Sequence, residues 1–381
     1  MNGQTSLYIH IPFCISKCAY CDFFSKAEGR KSSATANSPV PASYIAALSN
    51  EIAFRLQSNK ISELKTVYIG GGTPSLLSGQ QFASIFDSIK SNVKIASDAE
   101  ITVEVNPDDI SKVLLDDLWK CGVNRISCGI QSMNDAALKK ACRRADSQAN
   151  KKALSLLHDF WPGLLSLDLI SGLPGDDENT LIASLQELLA VNPDHISLYS
   201  LTIEEETPFG KELASGRLDY DFDKADKLWL TGRDFLESHG YIWYEVSNFC
   251  RPGKECVHNL AYWTHSDYIG CGSGASGSLY SADGCGFRWT NSQNIEKYID
   301  FWGNSGQKEI HVDELKLIQS QEKIDLETSE FEFFMMGLRK LRGFYSSEYQ
   351  KVFNRALPEK FLHFFSRLGR KGSLYKKISK K

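Results

Sequence analysis

Cys14, Cys18 and Cys21 stand in the run Cys14-Ile15-Ser16-Lys17-Cys18-Ala19-Tyr20-Cys21, a C-x3-C-x2-C spacing. Three thiolates on so short a loop can wrap one face of a soft metal centre. With ten cysteines in 381 residues, partners at both +4 and +7 arise by chance less than about once in a thousand. A structural zinc site closes with four protein ligands and would here need a distant residue such as His10. A [4Fe–4S] cubane held by three cysteines instead leaves one iron open to an outside ligand.

Short apolar runs alternate with amphipathic helical patterns over the first two hundred residues. Strands are predicted near 7–11, 66–69, 100–105, 125–129, 165–170 and 195–199, and helices near 44–56, 80–89, 111–119, 149–160 and 179–190. Six such repeats imply a parallel sheet, open or barrel-like, that binds ligands at the C-terminal ends of its strands. The cysteine run follows the first predicted strand directly. Gly70-Gly71-Gly72-Thr73-Pro74 follows the second, where glycines let backbone groups approach a ligand. Glu104 ends the third, and Gln131 follows the fourth, with Arg143 twelve residues on. Asp168 lies within the fifth. Taken singly, each of these polar residues is more often a cap or loop contact; together they mark one end of the sheet.

The cysteine spacing, with the aromatic Tyr20 before the last cysteine, resembles the signature of radical S-adenosylmethionine proteins. The resemblance implies an α/β fold, a partial (β/α)6 TIM-like barrel, with a smaller, mostly helical C-terminal domain. It also implies that the open iron chelates the amino and carboxylate groups of S-adenosylmethionine, whose reductive cleavage gives a 5′-deoxyadenosyl radical. Tyr20 would then lie against the adenine, and Gly71, Gly72 and Thr73 would bind the methionine amino group. Glu104, Gln131, Arg143 and Asp168 would surround the ribose, carboxylate and sulfonium. Tyr8 matches a further cofactor-contacting position.

The match narrows to the oxygen-independent coproporphyrinogen oxidase branch. It is carried by Tyr8-Ile9-His10-Ile11-Pro12-Phe13-Cys14, Gly70–Leu77, Asn124–Ser127, Ser171-Gly172-Leu173-Pro174 and Tyr244–Asn248, and more weakly by Met336–Arg339. Three features resemble the haem-chaperone group of that branch rather than the oxidase. Phe23 stands where the oxidase has a fourth cysteine. No long extension precedes the first strand. His258-Asn259-x-x-Tyr262-Trp263 matches the group's HNxxYW motif, in which a neutral imidazole could ligate haem iron, although a lone His-Asn pair is by default a buried polar turn. The resemblance therefore implies haem as cargo at His258, a haem-accepting protein, and an electron donor such as flavodoxin or ferredoxin. Ser276 departs from the histidine usual in relatives, and Cys250, Cys256 and Cys271 lie near the motif. The alternative function is oxidative decarboxylation of coproporphyrinogen propionates.

Composition agrees with a soluble globular chain: 42% hydrophobic, 24% charged, net charge −4 and pI near 6.1. That balance argues against a broad nucleic-acid-binding face. No signal peptide or membrane span is visible, so the expected compartment is the cytoplasm, where clustered cysteines bind metal more often than they pair. Two domains are expected, 1–304 and 305–381, with the charged run 305–329 at their boundary. Residues 32–42 read as a surface loop and the basic tail 370–381 as a solvated terminus.

Overall fold

The computed structural model describes residues 4–27, 38–304, 312–359 and 361. The basic tail and most of the 32–42 loop lie outside them. In chain order the elements begin with β1 (Gln4–Ile11), β2 (Phe13–Cys14), β3 (Lys26–Ala27), α1 (Ala42–Ser58), β4 (Glu63–Gly71), α2 (Gly79–Asn92), β5 (Lys94–Val105) and α3 (Lys112–Cys121). Next come β6 (Arg125–Gln131), α4 (Asp135–Lys140), α5 (Ser147–Phe160), β7 (Leu164–Ser171), α6 (Glu178–Leu189), β8 (His195–Ser200), α7 (Pro208–Ala214) and α8 (Phe222–Ser238). The chain continues through β9 (Ile242–Glu245), β10 (Asn248–Cys250), α9 (Val257–Trp263), β11 (Tyr268–Cys271), β12 (Ser276–Tyr280), β13 (Gly286–Asn291) and α10 (Ile295–Gly303). It ends with α11 (Val312–Leu315), β14 (Gln319–Ile324), α12 (Leu326–Gly337) and α13 (Ser346–Phe353).

Twelve strands form one sheet in the order β14-β13-β12-β11-β1-β4-β5-β6-β7-β8-β10-β9. The six predicted strands are its centre, β1-β4-β5-β6-β7-β8, all parallel and in chain order. Five of the six carry alternate residues that are apolar and buried against the helices: Leu7, Ile9 and Ile11; Val67 and Ile69; Ile101, Val103 and Val105; Leu165, Leu167 and Leu169; Ile196 and Leu198. The sixth, β6, does the same with Ile126, Cys128 and Ile130. The residues between them are mostly polar, including Thr66, Glu100, Thr102, Glu104, Arg125, Ser127, Asp168, His195 and Ser197, and they line the inside of the partial barrel. Period-two alternation thus places a polar lumen inside an apolar shell.

Local signals set the helix ends. Ser78 and Gln81 make a reciprocal capping box at the start of α2, and Gly122 ends α3 at φ +97°. Beyond the parallel core, β11 extends it in parallel beside β1, and β12, β13 and β14 continue antiparallel. β14 lies past residue 304, so the segment expected to carry the domain boundary supplies a strand of the main sheet. Among the described residues, no helix is long and apolar enough to cross a membrane.

A buried ionic network ties this extension to the core. Glu51 on α1 is fully buried and ion-paired with Arg55 at 2.9 Å. Its carboxylate also accepts from Tyr298 Oη (2.6 Å), Asn291 Nδ2 (2.7 Å) and Gly272 N (2.8 Å). Arg55 in turn donates to Asn291 Oδ1 and Gln319 Oε1 and lies over the Trp289 ring. Removing one partner of such a buried pair leaves an uncompensated charge. Glu51→Ala should therefore lower stability by about 3–5 kcal/mol, measured as a lower urea midpoint at unchanged slope.

Candidate functional site

The cysteine loop is held at the C-terminal ends of the strands by backbone pairing rather than by its own sequence. Lys26 N donates to Pro12 O at 2.8 Å, bringing β3 against β2. Ala19 N donates to Ala141 O just after α4, and Phe209 N of α7 donates to Ala19 O, both at 2.9 Å. His10 Nε2 donates to Phe24 O at 2.9 Å. Its Nδ1 then accepts from Tyr8 Oη at 2.9 Å, and burial keeps the ring neutral. With both nitrogens engaged, His10 does not close a zinc site with the cysteines.

The glycine run serves chain crossing first. A Cβ on Gly72 would sit 2.7 Å from Phe13 O, and one on Gly71, at φ +112°, would sit 2.6 Å from the His10 ring. Gly72 N donates to Ile11 O (2.9 Å) and Gly71 N to Glu104 Oε2 (3.1 Å). These amides are already engaged within the protein, which leaves carbonyls rather than N–H groups to meet a ligand's amino group.

A cavity of about 530 Å³ opens here, lined by all three cysteines together with Tyr20, Gly71, Gly72, Thr73, Glu104, Gln131, Arg143 and Asp168. Residues distant in sequence converge because each ends or follows a neighbouring strand. Gln131 is held at φ +68°, and its Oε1 is buried without a partner, as is Arg143 Nε. Buried polar atoms left unmatched by the protein fit a polar ligand. Burial pushes the Glu104 carboxyl up to about 7, against the opposing hydrogen bonds from Tyr68 Oη and Gly71 N. Burial likewise raises Asp168 to about 6, opposed by Ser197 and Ser127. Burial lifts the Cys21 thiol to about 11, a proton that a coordinated metal displaces.

Two expected site residues are not brought to this wall. Tyr8 lies deeper in the lumen, against Tyr68 with ring centroids 6.2 Å apart. His258 lies on α9, which closes the opposite end of the barrel. Glu100 accepts from Val257 N (3.1 Å) and His258 N (2.9 Å) at the start of that helix, and it pairs with Arg125 at 2.9 Å. The His258 ring is 1% exposed. Its Nδ1 meets Thr66 Oγ1 at 2.7 Å and its Nε2 meets Tyr262 Oη at 3.0 Å. Burial lowers its pKa to about 3, so the imidazole is neutral. Cys250, Cys256 and Cys271 are buried in the surrounding elements.

Sequence reasoning passed over several wall residues, among them Asn106, Ser127, Arg144, Tyr199, Thr202 and Glu204. All of them lie on or just after a core strand or, for Arg144, beside a residue already singled out. The strand-end rule would have found most of them if applied to every polar residue.

A family model described as the Radical SAM superfamily matches residues 8–188. The fold also resembles coproporphyrinogen III oxidase (HemN) from Escherichia coli, described as a radical SAM enzyme. That match has a TM-score of 0.75 at 20% identity and covers 97% of this chain and 83% of that one. The class is thus a radical SAM protein. The heme chaperone HemW of Escherichia coli strain K12 is 35% identical over 339 residues, 89% of this chain and 83% of that protein. HemW of Bacillus subtilis strain 168 is 33% identical over 97% of this chain and 92% of its own length. A mitochondrial radical S-adenosyl methionine domain-containing protein 1 from Danio rerio is 33% identical over 89% and 74%. The chain belongs to the HemW family of radical SAM proteins.

The raised carboxyls have a consequence for the cofactor-free protein. Between their ordinary and raised pKa values the folded chain holds protons that the unfolded chain has released, so stability falls as pH rises through that window. Melting temperature should drop from about pH 5 to about pH 7.5, and Glu104→Gln should flatten the slope by removing one of the two raised carboxyls. An unchanged slope in that variant would show that Glu104 is not the titrating group.

Proposed function

We propose that this chain binds haem and hands it to an acceptor protein, with a [4Fe–4S] cluster on Cys14, Cys18 and Cys21 and S-adenosylmethionine in the adjoining cavity. The convergence of those three cysteines with eight of the nine expected cofactor residues in one cavity supports the cofactor part most strongly. The HemW relatives support the cargo. When bound, the cluster supplies one-electron reduction of the ligand's sulfonium. The Gly71 and Gly72 carbonyls and Glu104 would accept from the ligand's amino and hydroxyl groups. Arg143 and Gln131 would hold its carboxylate, and Asp168 would offset its positive charge. An external reductant such as flavodoxin or ferredoxin provides the electron.

Phe23 favours carriage over decarboxylation. It stands at the position of the oxidase's fourth cysteine, lines the cavity and is 70% exposed. His258 is the proposed iron ligand, on the strength of the HNxxYW motif. Its neutral ring has the right chemistry, but ligation requires Nε2 to leave Tyr262 and the α9 end of the barrel to open. Haem uptake through His258 is thus coupled to a local rearrangement.

Reconstituted protein should bind about four irons, and Cys14→Ala, Cys18→Ala or Cys21→Ala should each abolish the absorption near 400 nm that Cys142→Ala retains. S-adenosylmethionine should change the EPR spectrum of the reduced cluster. An unchanged spectrum at saturation would leave a cluster of purely structural use.

The chain should also bind about one haem. His258→Ala should weaken binding and move the Soret band, while Tyr262→Phe should strengthen it by freeing Nε2. Coproporphyrinogen should be left largely unconverted in the same reduced, cofactor-loaded sample. Efficient formation of protoporphyrinogen would replace the carrier reading with the oxidase. Equal haem affinity in wild type and His258→Ala would move the ligand elsewhere, with Cys256 the first candidate.

A further inference from the structure

Two residues expected to contact S-adenosylmethionine also donate hydrogen bonds to cysteine sulfurs. Thr73 Oγ1 lies 3.4 Å from Cys14 Sγ. Arg143 Nη1 lies 3.5 Å from Cys18 Sγ. Both fall within the reach of a sulfur acceptor. The Tyr20 hydroxyl hydrogen-bonds Cys18 as well. Cys21 takes a backbone N–H from Phe23.

The arginine is held in place through both terminal nitrogens, with Nε left unpartnered. Its Nη2 donates to Asn106 Oδ1 at 2.9 Å and to Gly129 O at 2.6 Å. Its backbone is fixed by the turn after α4, where Cys142 sits at φ +54° and Arg143 N donates to Leu138 O. That same turn is joined to the cysteine loop through Ala19 N and Ala141 O. Guanidinium and sulfur therefore belong to two segments held together independently of any ligand. Asn106 and the Gly129 carbonyl act as positioning groups for Arg143.

The geometry points to Thr73 and Arg143 as donors to the thiolates of the [4Fe–4S] cluster, raising its reduction potential before S-adenosylmethionine binds. The physical reason is charge. The one-electron step takes [4Fe–4S]2+ to [4Fe–4S]+, with the electron supplied by an external reductant, and the added charge resides partly on the sulfurs. Donors aimed at those sulfurs stabilise the reduced state more than the oxidised one. Arg143 adds a full positive charge in a buried setting, so its contribution exceeds that of the Thr73 hydroxyl. The two residues thus act twice in the same place, on the cluster in its resting state and on the ligand when it arrives.

This inference rests on the cluster assignment and not on haem binding. The test is an EPR-monitored redox titration of the reconstituted full chain with dithionite, without S-adenosylmethionine, so that ligand contacts cannot contribute. Iron content is measured on each sample. Thr73→Val keeps the shape and removes the hydroxyl, Tyr20→Phe removes the second donor to Cys18, and Arg143→Met removes the guanidinium at similar length. Each variant should have a lower midpoint potential than wild type. For Arg143→Met the reduction equilibrium should weaken about tenfold or more, ~59 mV for one electron. Wild-type potentials in cluster-loaded Thr73→Val and Arg143→Met would overturn the inference. Should Arg143→Met fail to take up iron, unchanged potentials in Thr73→Val and Tyr20→Phe together would overturn it. Absence of iron from the reconstituted wild type would overturn the cluster assignment and this inference with it.

Discussion

Six parallel strands that turn apolar residues outward and polar residues inward impose one requirement on everything else: the polar lumen must be satisfied. A buried carboxylate, guanidinium or hydroxyl without a partner costs several kcal/mol. At one end of the barrel the chain meets most of this cost with protein, although Arg125 Nη1 and Thr102 Oγ1 are left without partners. Glu100 accepts from the first amides of α9 and pairs with Arg125, which also donates to the carbonyls of Lys254 and Glu255. Thr66 and Tyr262 occupy both nitrogens of His258. At the cysteine end Gln131 Oε1 and Arg143 Nε are left unpartnered on the cavity wall.

The two ends are physically continuous. The His258 ring stacks on Tyr68 with centroids 4.9 Å apart. Tyr68 Oη donates to Glu104 at 2.8 Å, and Glu104 accepts from Gly71 N in the cavity lined by the cysteines. A change that displaces His258 therefore disturbs the environment of a carboxyl that lines the cavity beside the cysteines. The same lumen that seals the HNxxYW helix connects it to the cysteine end.

The antiparallel extension has a related role. Its Gly-rich turn packs on the cysteine loop, where a Cβ on Gly274 would meet Phe24 at 2.5 Å. Ser273 N donates to Tyr44 Oη, which donates to His10 O. The Glu51–Arg55 network then fixes this turn to α1. The site is thus braced from outside the parallel core, by residues with no sequence signal of function.

Much was legible in the chain itself because it depends on local order. Hydrophobic period two, helical stripes and the glycine punctuation located the six core strands and five of the helices. The C-x3-C-x2-C run and the strand-end motifs named the three cysteines and eight other residues of the cavity wall, since neighbouring parallel strands bring their C-terminal ends together whatever the details of twist. Tertiary structure decided what depends on direction and packing. Tyr8 alternates inward on β1 but too deep to reach the wall. The motif of His258 reads equally as a haem ligand or a buried polar turn, and Glu100 and Thr66, remote in sequence, together with Tyr262 seal it. The run Gln319-Ser-Gln-Glu-Lys-Ile324 reads as a polar linker and is an edge strand, because ladder pairing with β13 and two buried ends replace the apolar alternation that would have announced it. The sulfur contacts of Thr73 and Arg143 belong to the same group. They arise from the crossing of chain segments that only the folded barrel brings within hydrogen-bonding distance.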